Sequence, residues 1–384
     1  MIKISLFSFV ALFLFQACAQ DTKLEEKKVA PKKIEVPKTE IIYTLKDYLS
    51  ENETLQKEVE TLFNTLDDTA IVAQLIMPAV GKYGQTDALI KKHITNRVIG
   101  GVLMLNGTKT GFTSMISQYE KLNSTVGNIP FLYSADAEPS LMNMKIKGAT
   151  IVKKANEIKS IEEVTTCANT ISKDLNAIGI NYNFSPVVDM STNSTVGYRG
   201  FGSNPANIVP WSNAFIQESQ KNNIIATAKH FPGHGLVTGD THKSLQMIDG
   251  ELKEIKNYPG LIEAGVLSIM VAHIAVKNNI EYDTKGLPST LSPEIVQGLL
   301  REKLNFQGLI VTDAMNMGGV VSVPQSASKA ISAGCDILLM PVDAKAAHSE
   351  ILKKYRTDIE FKKKVDAAAK RVLRMKLCIG LLKK

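Results

Sequence analysis

An alternation of short apolar runs and longer amphipathic segments constrains the fold of this 384-residue chain more than any other sequence feature. Near-continuous apolar strands that alternate with helices indicate a parallel sheet buried on both faces. We identify eight such runs, which are IVAQLIMPAV from Ile71, VIGGVLMLN from Val98, IPFLYSAD from Ile129, INYNFSPVVD from Ile180, IIATAKHF from Ile224, VLSIMVAHI from Val266, GLIVTDAM from Gly308 and CDILLMPVD from Cys335.

The number of strand–helix units favours a closed barrel over an open sheet. Eight units in one domain-sized chain predict an α/β fold of the TIM type, a single (β/α)8 barrel. A doubly wound open sheet is the alternative, but no GxGxxG follows any apolar run. Further helices are expected in residues 41–66 and 362–382, and the helices predicted between the strands are TDALIKKHITNR, TSMISQYEKLNS, EEVTTCANTISKDLNAIG, NAFIQESQKNN, PEIVQGLLREKLN and AKAAHSEILKKY.

The first 40 residues differ in composition from the rest of the chain. A lysine, an apolar run over residues 6–15 and then Cys18 resemble a bacterial lipoprotein signal, so we expect a signal peptide at 1–17 and a lipid on Cys18. An ordinary secretory signal cut near Ala17 or Ala19 is the alternative. Residues 18–40 are rich in Lys, Glu and Pro and predict a disordered tether to a folded domain at 41–384. We therefore expect an exported, membrane-anchored protein that faces the periplasm or the cell surface.

Charge and cysteine content exclude two classes of protein. The formal net charge is +7, but basic and acidic residues are interspersed, which argues against a nucleic-acid-binding surface. The three cysteines beyond Cys18 are too few for a disulfide framework. We expect a monomer that binds no nucleic acid.

Polar residues stand where the predicted strands end, which is where the site of such a barrel lies. A charged side chain at a buried strand end is costly unless it is paired with another charge or takes part in binding or catalysis. We therefore expect that each of these residues could face a common centre. They are Asp136, Glu138, Asp189, Lys229, His230, His273, Asp313 and Asp343.

The densest polar chemistry lies in residues 229–242, KHFPGHGLVTGDTH, which contain three of the six histidines. Asp240 and His242 are separated by one residue in a glycine-containing loop, so the carboxylate can orient the imidazole and support a general acid. Alternatively, His230, His234 and His242 could bind zinc with Asp240. Lys229 is an unfavourable neighbour for a cation, so we predict no metal and treat His234 as a loop-shaping hydrogen-bond partner.

Asp313 is the candidate nucleophile. It ends the apolar run in GLIVTDAMNMGG, and a carboxylate held there by neighbouring donors can attack a carbon that bears a leaving group. The alternative is a strand-end aspartate that only accepts hydrogen bonds from backbone N–H groups.

These segments resemble the motifs of one known family. AKHFPGHG followed by DTH is similar to the signature of glycoside hydrolase family 3, in its β-N-acetylglucosaminidase branch. INYNFSPVVD, YRGFGSNP and LIVTDAMNM resemble further motifs of the family in the same order. Together the motifs extend over residues 71–341.

The resemblance implies a function and a role for each matching residue. It implies a TIM barrel that hydrolyses terminal β-linked N-acetylglucosamine with retention, from peptidoglycan fragments or chitooligosaccharides and without a cofactor. Asp313 matches the nucleophile, and His242 with Asp240 matches the acid/base dyad. The residues that match contacts to the sugar hydroxyl groups are Asp136, Arg199, Lys229 and His230.

The chain departs from the family pattern in two places. The family's D-x-E-G-G-R-V reads DAEPSLMNMKIKG here, with Pro139 and Ser140 in place of the glycines, and the loop before Asp240 reads LVTG. The same resemblance admits a phosphorylase, or a β-glucosidase, whose branch typically adds a second domain that supplies a carboxylate acid/base. A non-catalytic sugar-binding lipoprotein is the alternative from another class.

Overall fold

The computed structural model describes residues 43–190, 192–193 and 195–382. The signal peptide, the lipid on Cys18 and the tether to residue 40 lie outside these residues and stay predictions. Within the described part of the chain, no helix is both long and apolar enough to cross a membrane.

Eight parallel strand positions form a ring. The second half of the first strand pairs with the second strand, and the pairing continues through to the seventh. The strands, in chain order, are Ile76–Met77 continued by Ala79–Gly81, then Gly101–Leu105, Leu132–Ala135, Tyr182–Asn183, Ile225–Phe231, Ser268–Val271, Leu309–Thr312 and Leu338–Leu339.

The last strand closes the ring onto the first. Ile76–Met77 pairs with Leu338–Leu339, and Thr312 N donates to Ile337 O at 3.0 Å beside a bridge between Val311 and Ile337. The first strand changes partner at Pro78, which has no N–H to donate to a ladder. The predicted TIM-type (β/α)8 barrel is therefore confirmed.

Alternate residues of the strands enter two different cores, as a closed barrel requires. Along the second strand, Val102 and Met104 belong to the larger core between the strands and the surrounding helices. Leu103 and Leu105 belong to a second core, which continues into the helices Glu53–Asn64 and Ile359–Cys378. Burial on both faces explains why the strands are apolar runs and do not alternate with polar residues.

Helices follow the strands around the barrel and mostly lie where the amphipathic segments predict them. Glu294–Lys303 is a π-helix. The α-helices are Glu53–Asn64, Asp68–Ala73, Asp87–Thr95, Lys109–Thr125, Met142–Lys145, Ile161–Ile178, Pro205–Lys221, Pro259–Glu263, Ser326–Ala333, Ala344–Thr357 and Ile359–Cys378, and the 3₁₀ turns are Leu45–Asp47, Ala155–Glu157, Ile255–Asn257 and Ser289–Leu291.

Two details differ from the sequence prediction. The strand expected from Ile71 begins only at Ile76, because Asp67 accepts a hydrogen bond from Ala70 N at 2.7 Å and caps a short helix first. Outside the barrel, two small parallel pairs form, Gly107–Thr108 with Ile146–Lys147 and Gln246–Asp249 with Ile274–Lys277.

Candidate active site

A cluster of three cations and two carboxylates lies at the carboxyl ends of the third and fifth strands. Lys229 Nζ contacts Asp136 Oδ1 at 2.9 Å and Glu138 Oε1 at 2.5 Å. Arg199 holds Glu138 with two hydrogen bonds, from Nε at 2.8 Å and from Nη2 at 2.6 Å. Lys145 Nζ contacts the other oxygen of Asp136 at 2.5 Å. Each ion in the cluster is therefore paired, as burial demands.

The pKa values follow from this pairing. Burial alone would raise the pKa of Asp136, but Lys145 and Lys229 hold it well below its usual value. Burial also opposes ionisation of Glu138, yet Arg199 and Lys229 lower its pKa to about 2. Burial would lower the pKa of Lys229, whereas Asp136 and Glu138 raise it. Asp136, Glu138 and Lys229 are thus ionised at neutral pH.

Lys145 is not among the predicted site residues, and it lies in the segment that departs from the family pattern. This segment forms the short helix Met142–Lys145. Ser140 anchors it by donating to Tyr198 O at 2.6 Å and accepting from Ala155 N at 2.9 Å. One signal in the sequence could have revealed Lys145. It is a basic residue nine positions after Asp136, at the end of a short helix, in a segment that contains no arginine. A cation therefore stands on this side of the site despite the altered motif.

His230 lies at the end of the fifth strand, with Asp189 behind it. Asp189 Oδ2 is 2.6 Å from His230 Nδ1, and both of its oxygens accept a hydrogen bond from His230 N at 3.2 Å. Asp189 Oδ1 also accepts a hydrogen bond from His234 N at 2.8 Å. Burial would raise the pKa of Asp189, but His230 lowers it. Asp189 therefore fixes the orientation of the ring and leaves Nε2 available to the cavity.

Asp313 follows the seventh strand and is held from behind. Its Oδ1 accepts a hydrogen bond from Ala314 N at 2.7 Å, while Oδ2 accepts none from the described residues. His273 braces the same backbone, with Nε2 3.1 Å from Ala314 O and Nδ1 2.8 Å from Thr290 Oγ1. Burial would raise the pKa of Asp313, but nearby histidines, His230 first, lower it. Asp313 is thus an ionised carboxylate with one free oxygen.

His242 and Asp240 form the pair that their spacing predicts. His242 Nδ1 is 2.7 Å from Asp240 Oδ1, which also accepts a hydrogen bond from His242 N at 3.0 Å. Burial slightly opposes ionisation of Asp240, but its hydrogen bonds with His242 hold its pKa below the usual value. The His242 side chain is 59% exposed, so the imidazole can meet a substrate. His234 Nε2 lies 2.8 Å from Thr241 Oγ1, which agrees with a loop-shaping role for His234.

A cavity of about 450 Å³ brings most of the predicted site residues together. Its lining includes Asp136, Arg199, Lys229, His230, His242 and Asp313, together with the unpredicted Lys145. Asp240 lies behind His242 and reaches the cavity only through it.

The expectation that every polar strand-end residue faces a common centre was wrong for four of them. Glu138, Asp189 and His273 are buried behind lining groups, where each bonds a residue that does reach the cavity. Asp343 lies elsewhere, where it caps helix Ala344–Thr357 by accepting from Ala346 N at 3.0 Å. Among the described residues, no group of His, Cys, Asp and Glu is arranged to hold a metal ion.

Two sequence relatives have the names of glycosidases. The chain is 29% identical over 304 residues to "Beta-N-acetylglucosaminidase/beta-glucosidase" of Cellulomonas fimi, which covers 74% of this chain but only 53% of that protein. It is 30% identical over 271 residues to "Beta-hexosaminidase" of Tolumonas auensis, which covers 66% of this chain and 79% of the relative.

Solved structures and a family model complete the comparison. A family 3 β-N-acetylglucosaminidase from a Paenibacillus species superposes with a TM-score of 0.75 at 26% identity, over 82% of this chain and 63% of that one. A β-N-acetylhexosaminidase from Beutenbergia cavernae gives 0.73 at 26% identity, over 80% and 98%. The model "Glycosyl hydrolase family 3 N terminal domain" matches residues 65–375. The chain therefore belongs to glycosyl hydrolase family 3, of which it contains the N-terminal domain.

Proposed function

We propose that the protein is a retaining exo-β-N-acetylglucosaminidase that acts on peptidoglycan fragments or chitooligosaccharides. One observation carries the proposal: an ionised carboxylate with a free oxygen, Asp313, shares a cavity with an imidazole whose Nδ1 is bound to a carboxylate. Retaining hydrolysis needs a nucleophile and a proton donor, and the donor is usually a second carboxyl group. Here the imidazole of His242 would take that role. The relatives named for N-acetylglucosamine or hexosamine release support this substrate class.

The reaction takes place in two steps. Asp313 attacks the anomeric carbon, the bond to the leaving oxygen breaks, and His242 Nε2 gives its proton to that oxygen. In the second step, His242 takes a proton from water, whose oxygen attacks the anomeric carbon and releases Asp313. Asp240 orients the ring and stabilises the imidazolium that forms.

The ionised cluster holds the sugar while this happens. Lys229 already donates to Asp136 and Glu138, which leaves one N–H of its ammonium group for a hydroxyl oxygen. Lys145 has one contact with a carboxylate and two remaining donors. The carboxylate of Asp136 retains acceptor capacity for hydroxyl protons. We propose that Asp136, Lys145, Lys229, Arg199 and His230 together form the subsite for the terminal sugar.

Hydrolysis of p-nitrophenyl β-N-acetylglucosaminide tests the proposal. We expect turnover by the wild type, its loss in Asp313→Ala and strong weakening in His242→Ala. Asp343→Ala is the matched control, because this aspartate also follows a strand but caps a helix away from the cavity. An inert wild type would contradict the proposal and favour a sugar-binding lipoprotein without catalysis. A panel of muropeptide, chitobiose and synthetic β-glucosides would then identify the preferred aglycone and test the β-glucosidase alternative.

Phosphorolysis is the second candidate, and the imidazole at the acid/base position favours it. An imidazole repels phosphate less than a second carboxylate in that position would. Release of sugar phosphate in phosphate buffer would support phosphorolysis, whereas free sugar as the only product would exclude it.

We further propose that the protein is exported, anchored through a lipid on Cys18 and monomeric. The N-terminal sequence supports the first two statements. Intact-mass measurement of the membrane-extracted protein should detect diacylglycerol on a chain that begins at Cys18, and sedimentation analysis should give the mass of one chain. A measured mass without diacylglycerol would contradict the proposed lipid anchor on Cys18.

A further inference from the structure

The loop that carries the acid/base pair, residues 235–242, is held on one side by the loop that follows the fourth strand. Asn193 is 6% exposed, and its Nδ2 donates to the carbonyl oxygens of Val237 and, at 3.1 Å, Gly239. Its backbone N–H donates to Gly235 O at 2.8 Å. Thr192 Oγ1 donates to the same Gly235 oxygen at 2.5 Å. These contacts cover the whole stretch that leads into the acid/base pair.

The base of the loop packs directly against the backbone of Met190. A Cβ on Gly235 would lie 1.7 Å from Met190 O, so the two loops meet backbone to backbone. Glu254 links the two loops, because its carboxylate accepts hydrogen bonds from Met190 N at 2.6 Å and from Leu236 N at 3.1 Å. The position of the loop therefore depends on the loop after the fourth strand.

Two contacts hold the far end of the loop near the nucleophile. Gly318, which follows the seventh strand, donates its N–H to His242 O at 2.9 Å. Thr241 is bonded to His234. Between these contacts and the base, the carbonyl groups of Val237 and Gly239 are held by a single side-chain amide, that of Asn193.

The orientation of that amide is set locally. Asn193 Oδ1 accepts a hydrogen bond from Thr195 N at 2.7 Å, so the NH₂ group faces the two carbonyl oxygens. Gly197 N donates to Asn193 O at 2.7 Å and continues the turn toward Arg199, which binds Glu138 of the sugar cluster. One short segment thus contacts both the sugar subsite and the loop of the proton donor.

We propose that Asn193 is a positioning residue for proton donation, because it fixes the loop that presents His242 to the leaving oxygen. The proposal rests on the proposed glycosidase function. Proton donation typically accelerates such reactions by about 10²–10⁴-fold, and misplacement of a catalytic group by about 1 Å can cost on the order of 100-fold. Loss of Asn193 should therefore affect substrates according to how much their leaving group needs a proton.

Asn193→Asp is the sharpest variant. Its side chain has the same shape and can still accept from Thr195 N, but it presents an oxygen to two carbonyl oxygens and cannot donate to them. The readout is kcat/KM, which reports the step that forms the bond to Asp313. For chitobiose, with its sugar leaving group, we expect a fall on the order of 10–100-fold. For the 2,4-dinitrophenyl β-glycoside, whose leaving group needs little protonation, we expect a fall of less than about 3-fold.

Two further variants keep the test decisive. Thr192→Val removes the neighbouring hydrogen bond to Gly235 O in the same loop. We expect a selective loss in the same direction but smaller than that of Asn193→Asp. This variant replaces Asn193→Asp in the test if Asn193→Asp does not fold. Asn123→Asp is the matched control, because Asn123 is buried and donates Nδ2 to a backbone carbonyl, that of Ile129, at 3.0 Å on the outer helix layer. Any loss that it causes should be equal for the two substrates.

Equal losses for both substrates in Asn193→Asp, or no loss in either, would overturn the positioning role. Selective loss with the sugar leaving group would support it, and the benchmark is His242→Ala, which should show a larger selectivity of the same sign. If the wild type cleaves neither substrate, the proposed function fails. A wild type that cleaves both, with an unselective variant, refutes only the role of Asn193.

Discussion

Replacement of Glu138 by Gln is expected to destabilise the protein by about 3 kcal/mol at neutral pH. Glu138 is completely buried and contacts Arg199 and Lys229 through charge-assisted bonds of 2.5–2.8 Å. Burial opposes its ionisation, but these two cations lower its pKa from 4.5 to about 2. That difference corresponds to about 3 kcal/mol in favour of the ionised folded state. Gln keeps the shape and loses the charge.

The sign of the pH dependence follows from the lowered pKa. The contribution of ionised Glu138 is complete above the unfolded-state value of 4.5 and is lost as the pH falls toward about 2. The difference between wild type and Glu138→Gln should therefore shrink from about 3 kcal/mol at pH 7 to about 2 kcal/mol at pH 3.5.

Urea unfolding followed by circular dichroism, at both pH values, measures this difference. Glu281→Gln is the control, because Glu281 forms an exposed pair with Lys303 at 2.9 Å, and its replacement should leave the unfolding curve unchanged. A Glu138→Gln variant as stable as the wild type, or a deficit that grows in acid, would refute the reasoning.

Two other residues give further predictions. Lys145→Met should raise KM for the p-nitrophenyl glycoside roughly 10-fold or more, because the sugar loses a donor and Asp136 loses a cation; an unchanged KM would remove Lys145 from the subsite. Lys376 is buried beside Gln74 and Gly100 O, and burial lowers its pKa to about 7, so its protonated form is disfavoured in the folded protein. The unfolding free energy of the wild type should consequently rise between pH 7 and pH 9, whereas Lys376→Met should lack this rise; parallel profiles of the two proteins would contradict the assignment.

Much of the fold could be predicted because a parallel barrel leaves a strong local pattern. Strands buried on both faces must be apolar throughout, so runs such as those around Val102 and Ile225 are visible without any knowledge of tertiary contacts. The boundary at Ile71 was missed because apolar residues fit a buried helix as well as a strand. The residue that decides between the two at this position is polar, because Asp67 caps the helix Asp68–Ala73.

The site could be predicted only where its residues are close in sequence or match a motif. The pairing of Asp240 with His242 could be predicted from their spacing. The presence of Asp313 in the site could be predicted from its position at a strand end. The contact of Lys145 with Asp136 depends on how an altered segment folds back, and the bond from Asn193 to the acid/base loop joins residues more than 40 positions apart. Asp343 shows the opposite failure, because a strand-end carboxylate can equally serve as a helix cap.

Asp313 as the covalent nucleophile is the central claim, and mass spectrometry of a trapped intermediate tests it most directly. The wild type is incubated with a 5-fluoro β-N-acetylglucosaminyl fluoride, which slows the second step, and is then digested with protease. We expect one added N-acetylhexosamine-derived mass on the peptide that contains Asp313, and none in Asp313→Ala. An adduct on another residue, or rapid turnover that releases the α-anomer first and leaves no adduct, would contradict this mechanism.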